Sequence, residues 1–321
     1  MVDRPFQILS LDGGGIRGVF AAAFLSKIEE HLHCEVTRHF DLITGTSTGG
    51  IIAIALGLGL RPFEIVEFYK EHGRQIFPVI PGLPRWLDPW AARQYVQRKF
   101  SNQQLMGALQ SAFQDQCLGA SKKRLIIPAF NLQERSHKLF KTAHHKQFTI
   151  DYKLPAWKVA MATAAAPTFF NAYQIDGREF IDGGVWANDP VMVGVTEAVT
   201  VLEQPLSRVR VLSIGTLRPV RSSTWSLRWG GKLHWAPAVA NLMIEAQSVA
   251  AQAQAQHFIG KPSLIRVNPE AHPKEIVLDD ARCIPALIAK ANHFAEHFAP
   301  SISAFLGHQA PDFTPSYEVS R

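Results

Sequence analysis

Apolar and polar positions along this chain fall into blocks that read alternately as strands and helices. Phe6 to Leu11 is a short, mostly apolar run that predicts a first strand. Arg17 to His33 then carries Val19, Phe20, Phe24, Leu25, Ile28 and Leu32 at helical spacing. Phe40 to Thr44 predicts a second strand, and Gly50 to Gly57 is so uniformly small and aliphatic that it reads as a buried helix. Pro62 is placed to open a helix reaching Ile76. Further helices are predicted over 89–99, 102–114, 155–165, 190–202, 237–258 and 280–297, and strands over 124–130, 138–142, 209–214 and 264–267. Ala172 to Ile181 predicts a hairpin turning at Asp176-Gly177. Strands alternating with helices argue for an α/β fold with a mainly parallel central sheet covered on both faces.

Two glycine-rich turns interrupt this pattern, each directly after a strand. The first is Asp12-Gly13-Gly14-Gly15-Ile16-Arg17-Gly18; the second is Gly45-Thr46-Ser47-Thr48-Gly49. A serine between two glycines on a strand-to-helix turn is the G-x-S-x-G elbow, which projects the Ser47 hydroxyl near a helix N-terminus. The first turn can offer bare backbone N–H groups to a developing oxyanion, as acyl transfer requires. A second reading stays open for it. Gly13-x-Gly15-x-x-Gly18 also satisfies a dinucleotide-binding fingerprint, with Glu35 where a ribose-binding acid belongs, which would make the protein an oxidoreductase. Against that stand the elbow, which a dehydrogenase does not require, and Arg17 beside the pyrophosphate position. A third reading is a non-catalytic protein that uses the turns as an anion nest.

Composition narrows the setting. The chain has 321 residues, 47% of them hydrophobic, with no Pro/Ser-rich linker, repeat or block of like charge. It is therefore expected to form one domain over 1–321, with the motifs in 6–215 and a helical completion over 216–321. Its longest apolar-plus-glycine run, Ile51 to Leu60, is about half a membrane span. With no basic-then-apolar leader, and with Cys34, Cys117 and Cys283 far apart and expected to be reduced, a cytoplasmic location is predicted. The formal charge of +6 suits nucleic acid, an anionic membrane or an anionic ligand without choosing among them. None of the thirteen histidines sits in a phrase that marks it as the base for Ser47. What does stand out is Phe180-Ile181-Asp182-Gly183-Gly184-Val185-Trp186-Ala187-Asn188-Asp189-Pro190, an acid at a strand end followed by two glycines.

Asp12 to Gly18, Gly45 to Gly49, Asp182-Gly183-Gly184 and the upstream Ala162-Thr163-Ala164-Ala165-Ala166-Pro167 together resemble the patatin-like phospholipases. These are serine acyl hydrolases with a Ser–Asp dyad and no essential histidine. The resemblance implies a three-layer α/β/α sandwich, Ser47 as nucleophile, Asp182 as its base, and Gly13, Gly14 and Gly15 as the oxyanion hole. It gives Arg17 a role supporting that loop or the substrate phosphate. It implies no metal, no cofactor and no nucleic-acid polymer; the substrate would be membrane phospholipid.

Two segments are expected to meet that membrane peripherally: Phe77 to Trp90, and Arg218 to Trp235 with Trp225, Trp229 and Trp235 among cations. Some bacterial patatin-like enzymes are antiviral effectors switched on by cyclic di- or oligonucleotides. The opening Phe6-Gln7-Ile8-Leu9-Ser10 is similar to theirs, which implies such an activator here. The sequence leaves monomer and homodimer open.

Overall fold

The computed structural model describes residues 4–78, 99–220, 228–272 and 278–318. Strand β1 (Phe6–Leu11) leads through a 3-10 turn into α1 (Gly18–Leu32), and β2 (Leu42–Gly45) leads into α2 (Thr48–Leu58) and α3 (Pro62–Ile76). After α4 (Asn102–Phe113) come β3 (Arg124–Asn131), β4 (Ser136–Lys141), α5 (Ala156–Thr163), β5 (Tyr173–Ile175), β6 (Arg178–Asp182), the single turn α6 (Gly184–Ala187) and α7 (Val191–Thr200). The remainder holds β7 (Val209–Ile214), β8 (Arg218–Pro219), α8 (Lys232–Ile259), β9 (Leu264–Val267), β10 (Glu270–Ala271) and α9 (Ile284–Phe305).

The large sheet is mixed. β1 pairs in parallel with β2 and with β7, β2 with β3, and β7 with β9, whereas β4 and β6 pair antiparallel with β3 and β5 pairs antiparallel with β6. The parallel part is β1, β2, β3, β7 and β9, and within it β1 leads to β2, β2 to β3 and β7 to β9 through helices, as parallel neighbours require. The expected hairpin is β5–β6, with Asp176 and Gly177 both at positive φ, the form a two-residue hairpin turn takes.

Period-2 alternation sends successive residues to opposite faces. Phe6, Ile8, Leu42, Val209 and Val211 join Val191, Val195, Ala255 and Ile259 under α7 and α8. Leu9, Leu11, Ile43, Leu212 and Ile214 pack with α1, α2 and α9 on the other side. Three layers result, an α/β/α sandwich. The C-terminal helix belongs to this body: α9 packs along α1, and the Gln7 side chain donates to the Phe305 carbonyl at 2.7 Å.

Two helices depart from the expected bounds. α8 begins at Lys232, five residues before the proline expected to open it. α9 runs past His297 and through Pro300 to Phe305. Pro300 costs a backbone bond, but Ala299, Ile302 and Phe305 are buried in the core, so tertiary packing carries the helix across it. The helix expected over 89–99 and most of the apolar loop from Phe77 to Trp90 lie outside the described residues. Phe77 itself is buried among Phe100 and Phe170.

Candidate active site

The two glycine turns stand side by side because β1 and β2 are adjacent parallel strands, paired from Ile8↔Leu42 to Leu11↔Gly45. The elbow is knitted onto the first turn. Thr46 N–H donates to the Leu11 carbonyl at 3.1 Å, and a Cβ on Gly49 would lie 2.3 Å from that same oxygen. Only glycine allows that approach. Ser47 caps α2 with φ 56° and ψ −125°, a conformation that costs a non-glycine residue on the order of 1–3 kcal/mol. The first turn faces it closely, since a Cβ on Gly13 would sit 3.2 Å from the Ser47 Cβ.

Asp182 reaches Ser47 through the edge of β3. Ile126 pairs with both Thr44 of β2 and Lys141 of β4, and Ala129 to Asn131 pair with both β4 and β6. One strand position has only two edges, so β4 takes one and β2 and β6 share the other. They run toward each other, and Asp182, opposite Ala129, ends β6 just beyond the end of β2. Thr163 fills the join: Ser47 N–H donates to its hydroxyl at 3.0 Å, and that hydroxyl donates to the Pro128 carbonyl at 2.6 Å. The structure thus brings Ser47 and Asp182 together, with the Ser47 hydroxyl near enough to the Asp182 carboxylate to favour its charged form.

Burial lifts the Asp182 carboxyl from 3.8 to about 6, against the opposing pull of hydrogen bonds from Ser47 and from Gly184 N–H at 2.7 Å. A carboxylate so placed is ionised at neutral pH yet basic enough to accept a hydroxyl proton.

The three glycine amides differ. Gly13 N–H donates to the Asn188 carbonyl at 2.9 Å. The amides of Gly14 and Gly15 have no backbone acceptor among the described residues. Both are aimed through the far ends of their peptide units, in which C=O and N–H point opposite ways. The Gly13 carbonyl, in one plane with Gly14 N–H, accepts from Thr216 Oγ1 at 3.0 Å and Asn188 Nδ2 at 3.4 Å. The Gly14 carbonyl, in one plane with Gly15 N–H, accepts from Arg17 Nε at 3.3 Å and Arg17 N–H at 3.2 Å. Burial lowers the Arg17 guanidinium to about 10, with Asp12 opposing. Arg17 thus bonds back onto the turn that carries it and onto the Leu217 carbonyl.

Beneath the turns lies an ionic network. Arg266 forks onto Asp12 at 2.8 and 2.5 Å and lies 3.4 Å from Asp189. Gln252 donates to Asp189 Oδ2 at 2.6 Å, and the Asn188 amide donates to Gln247 Oε1 at 3.0 Å. Burial raises the Asp12 carboxyl, Arg266 pulls it down and Asp189 pushes it further up.

Sequence reasoning missed Thr163, Asn188, Thr216 and Arg266 as site residues. Thr163 and Asn188 lie inside phrases that drew attention for other reasons; Thr216 and Arg266 carry no local signal.

The dinucleotide reading fails on position. Glu35 precedes β2 and so lies at the amino end of the sheet, paired with Arg38, while the glycine turn lies at the carboxyl end of β1. The 15 residues of α1, roughly 22 Å of helix, separate them.

A family model described as patatin-like phospholipase matches residues 9–195. A cGAMP-activated phospholipase of Pseudomonas aeruginosa is 32% identical over 95% of this chain and 93% of its own length. Proteins of the same name from Escherichia coli and Vibrio cholerae are each 34% identical, over 73% and 66% of this chain and 69% and 64% of theirs. The chain belongs to the patatin-like phospholipases and is a hydrolase of carboxylic ester bonds.

The raised Asp182 carboxyl has a stability consequence. Its pKa in the folded chain lies above the ordinary 3.8, so the fold is favoured while the acid is neutral and loses that contribution as pH rises through about 6. Asp182→Asn is expected to stabilise the protein by up to roughly 3 kcal/mol at pH 8 and by almost nothing at pH 3. Urea titrations at the two values check this; an equal effect at both is the contrary result.

Proposed function

We propose that this protein is a serine acyl hydrolase that releases fatty acid from membrane phospholipid, with Ser47 as nucleophile and Asp182 as its base. One observation carries the reading: the strained elbow holds the Ser47 hydroxyl against a buried carboxylate, beside amides with no backbone acceptor among the described residues.

Ser47 Oγ attacks the acyl carbonyl while its proton passes to Asp182. The tetrahedral oxyanion accepts from Gly14 and Gly15 N–H, which are turned toward it at no cost during reaction. Collapse breaks the ester C–O bond, and the departing lysolipid oxygen takes the proton from Asp182. Water then attacks the acyl-serine; Asp182 accepts its proton and returns one to Ser47 as the fatty acid leaves. Gly13, whose amide is engaged with Asn188, shapes the hole by its lack of a side chain. We take residues 1–321 as one acyl hydrolase unit, since the clamp and network residues Thr216, Gln247, Gln252 and Arg266 come from beyond the motif-bearing core.

The bacterial relatives are named cGAMP-activated phospholipases, which supports a switch in which a cyclic di- or oligonucleotide activates this enzyme; a role in antiviral defence is what the family resemblance implies for it. Peripheral membrane contact from the cytoplasm completes the reading. Among the described residues, no helix is long and apolar enough to cross a membrane.

A fluorophosphonate is expected to label Ser47, with labelling lost in Ser47→Ala and slowed at least a hundredfold in Asp182→Asn. Labelling should rise with pH to a plateau above about 6, because Asp182 must lose its proton before it can take one. A rate independent of Asp182 contradicts the dyad.

Thr216→Val is expected to lower kcat about tenfold with KM nearly unchanged, since it frees the Gly13 carbonyl without touching substrate. The loss stays below the 10²–10³ of removing a donor outright. Thr216→Ser should restore the rate.

Fatty-acid release from phospholipid vesicles should increase at least tenfold with one member of a panel of cyclic dinucleotides. Identical release with and without every member contradicts the switch.

A further inference from the structure

α8 has 28 residues, about 42 Å of helix, and its two halves live in different surroundings. The carboxyl-terminal half lies on the sheet: Gln252 bonds Ser213 and Asp189, and Ala255 and Ile259 are buried beside Leu264. Gln247 meets Asn188 at the level of the active site. The residues before Gln247, from Lys232 to Ala246, add about 22 Å of helix at the carboxyl edge of the sheet, the edge that carries Ser47.

That amino-terminal half is apolar and exposed. Val239 is 40% exposed, Leu242 43%, Met243 68% and Ile244 36%, with Trp235 at 38% and the preceding Trp229 at 73%. Leu242, Met243 and Ile244 are consecutive, so at about 100° per residue they span roughly 200° of the helix circumference. Across all of α8 the charged side chains are Lys232 and Glu245 alone. Just before it, Arg228 stacks on the Trp229 ring at 5.4 Å. A helix this poor in charge has no reason to stand in water.

The geometry points to a lipid surface as the occupant. We propose that residues 235–244 dip into an anionic bilayer, with Arg228 and Trp229 at the headgroup level, and hold the Ser47 site against its substrate. A second copy of the chain would pair along a stripe. Here the apolar positions run round more than half the circumference, which a fluid acyl layer envelops and a partner helix does not. Cations and tryptophans at one end, with aliphatic side chains beyond, are the arrangement that interfacial anchors use. The length and composition suit partial insertion, since no described helix can span a bilayer. The proposal names the substrate-facing surface of the acyl hydrolase proposed above and rests on that reading for its purpose.

Flotation of the full chain with phosphatidylglycerol/phosphatidylethanolamine vesicles tests it, in a Ser47→Ala background so that the lipid stays intact. Leu242→Ser/Met243→Ser/Ile244→Ser should lower vesicle affinity at least tenfold. With Ser47 present, the same triple variant should hydrolyse a soluble short-chain ester at the rate of the unsubstituted protein. Vesicles with brominated acyl chains should quench fluorescence, and Trp235→Phe should reduce the quenchable fraction, a readout independent of how the triple variant folds. Unchanged affinity, or an unchanged quenchable fraction, overturns the proposal. So does light scattering that shows the triple variant splitting a dimer while vesicle binding persists, which assigns the face to a second copy. Vesicle binding lost as expected, in a protein that cleaves neither vesicle lipid nor soluble ester, leaves the docking surface standing and refutes the hydrolase reading.

Discussion

The site depends on one edge of one strand. β3 gives its first residues to β2 and its last to β6, and the two partners stop short of each other. Pro128 stands at the gap. In an extended strand the N–H and C=O of a residue point to the same edge, so the donor that proline lacks is missing where no neighbour could use it. Its carbonyl does face the gap, and Thr163 satisfies it while accepting from Ser47 N–H. A proline inside a sheet strand, ordinarily a fault, here marks the place where the sheet opens to let a hydroxyl and a carboxylate meet.

Holding that opening together is costly, and the cost is spread over the whole chain. Ser47 keeps a backbone conformation that L-residues avoid, and Asp182 is buried with no cation beside it among the described residues. The turns around them are tied down by Arg266, which lies between the carboxylates of Asp12 and Asp189. Removing that guanidinium would leave two buried acids facing each other, a far worse state than the intact trio. Arg266 arrives on β9, two strands away from β1 across the sheet, so the architecture of the site cannot be completed by the segment that carries its motifs.

That distribution explains what could be read from the sequence. Strand and helix periodicity located most elements because alternation and helical spacing are local properties, and the three glycine phrases located Ser47 and Asp182 because backbone crowding leaves a compositional trace. Thr216 and Arg266 leave none. They act through the strand order β1-β7-β9, which is settled by packing, and a lone threonine or arginine at a strand end looks like any other. The errors follow the same rule. The last helix was expected to end at His297, yet core contacts carry it through Pro300 to Phe305. Glu35 matched a spacing but not an end of the sheet.

The glycine turn shows why the missed residues matter to the chemistry. Donors for a transient oxyanion must be unpaired in the resting protein, so no hydrogen bond of their own can hold them in place. A peptide plane, however, is rigid, and gripping its carbonyl fixes the direction of the N–H on the other side. Thr216 and Asn188 grip one plane and Arg17 the next. Asn188 is in turn held by Gln247 of α8 through its own N–H, and it accepts the Gly13 amide. The Gly13 amide is thus the anchor of the turn, and in the proposed mechanism the preorganisation that electrostatic catalysis needs is built from residues that do not face the reacting atoms.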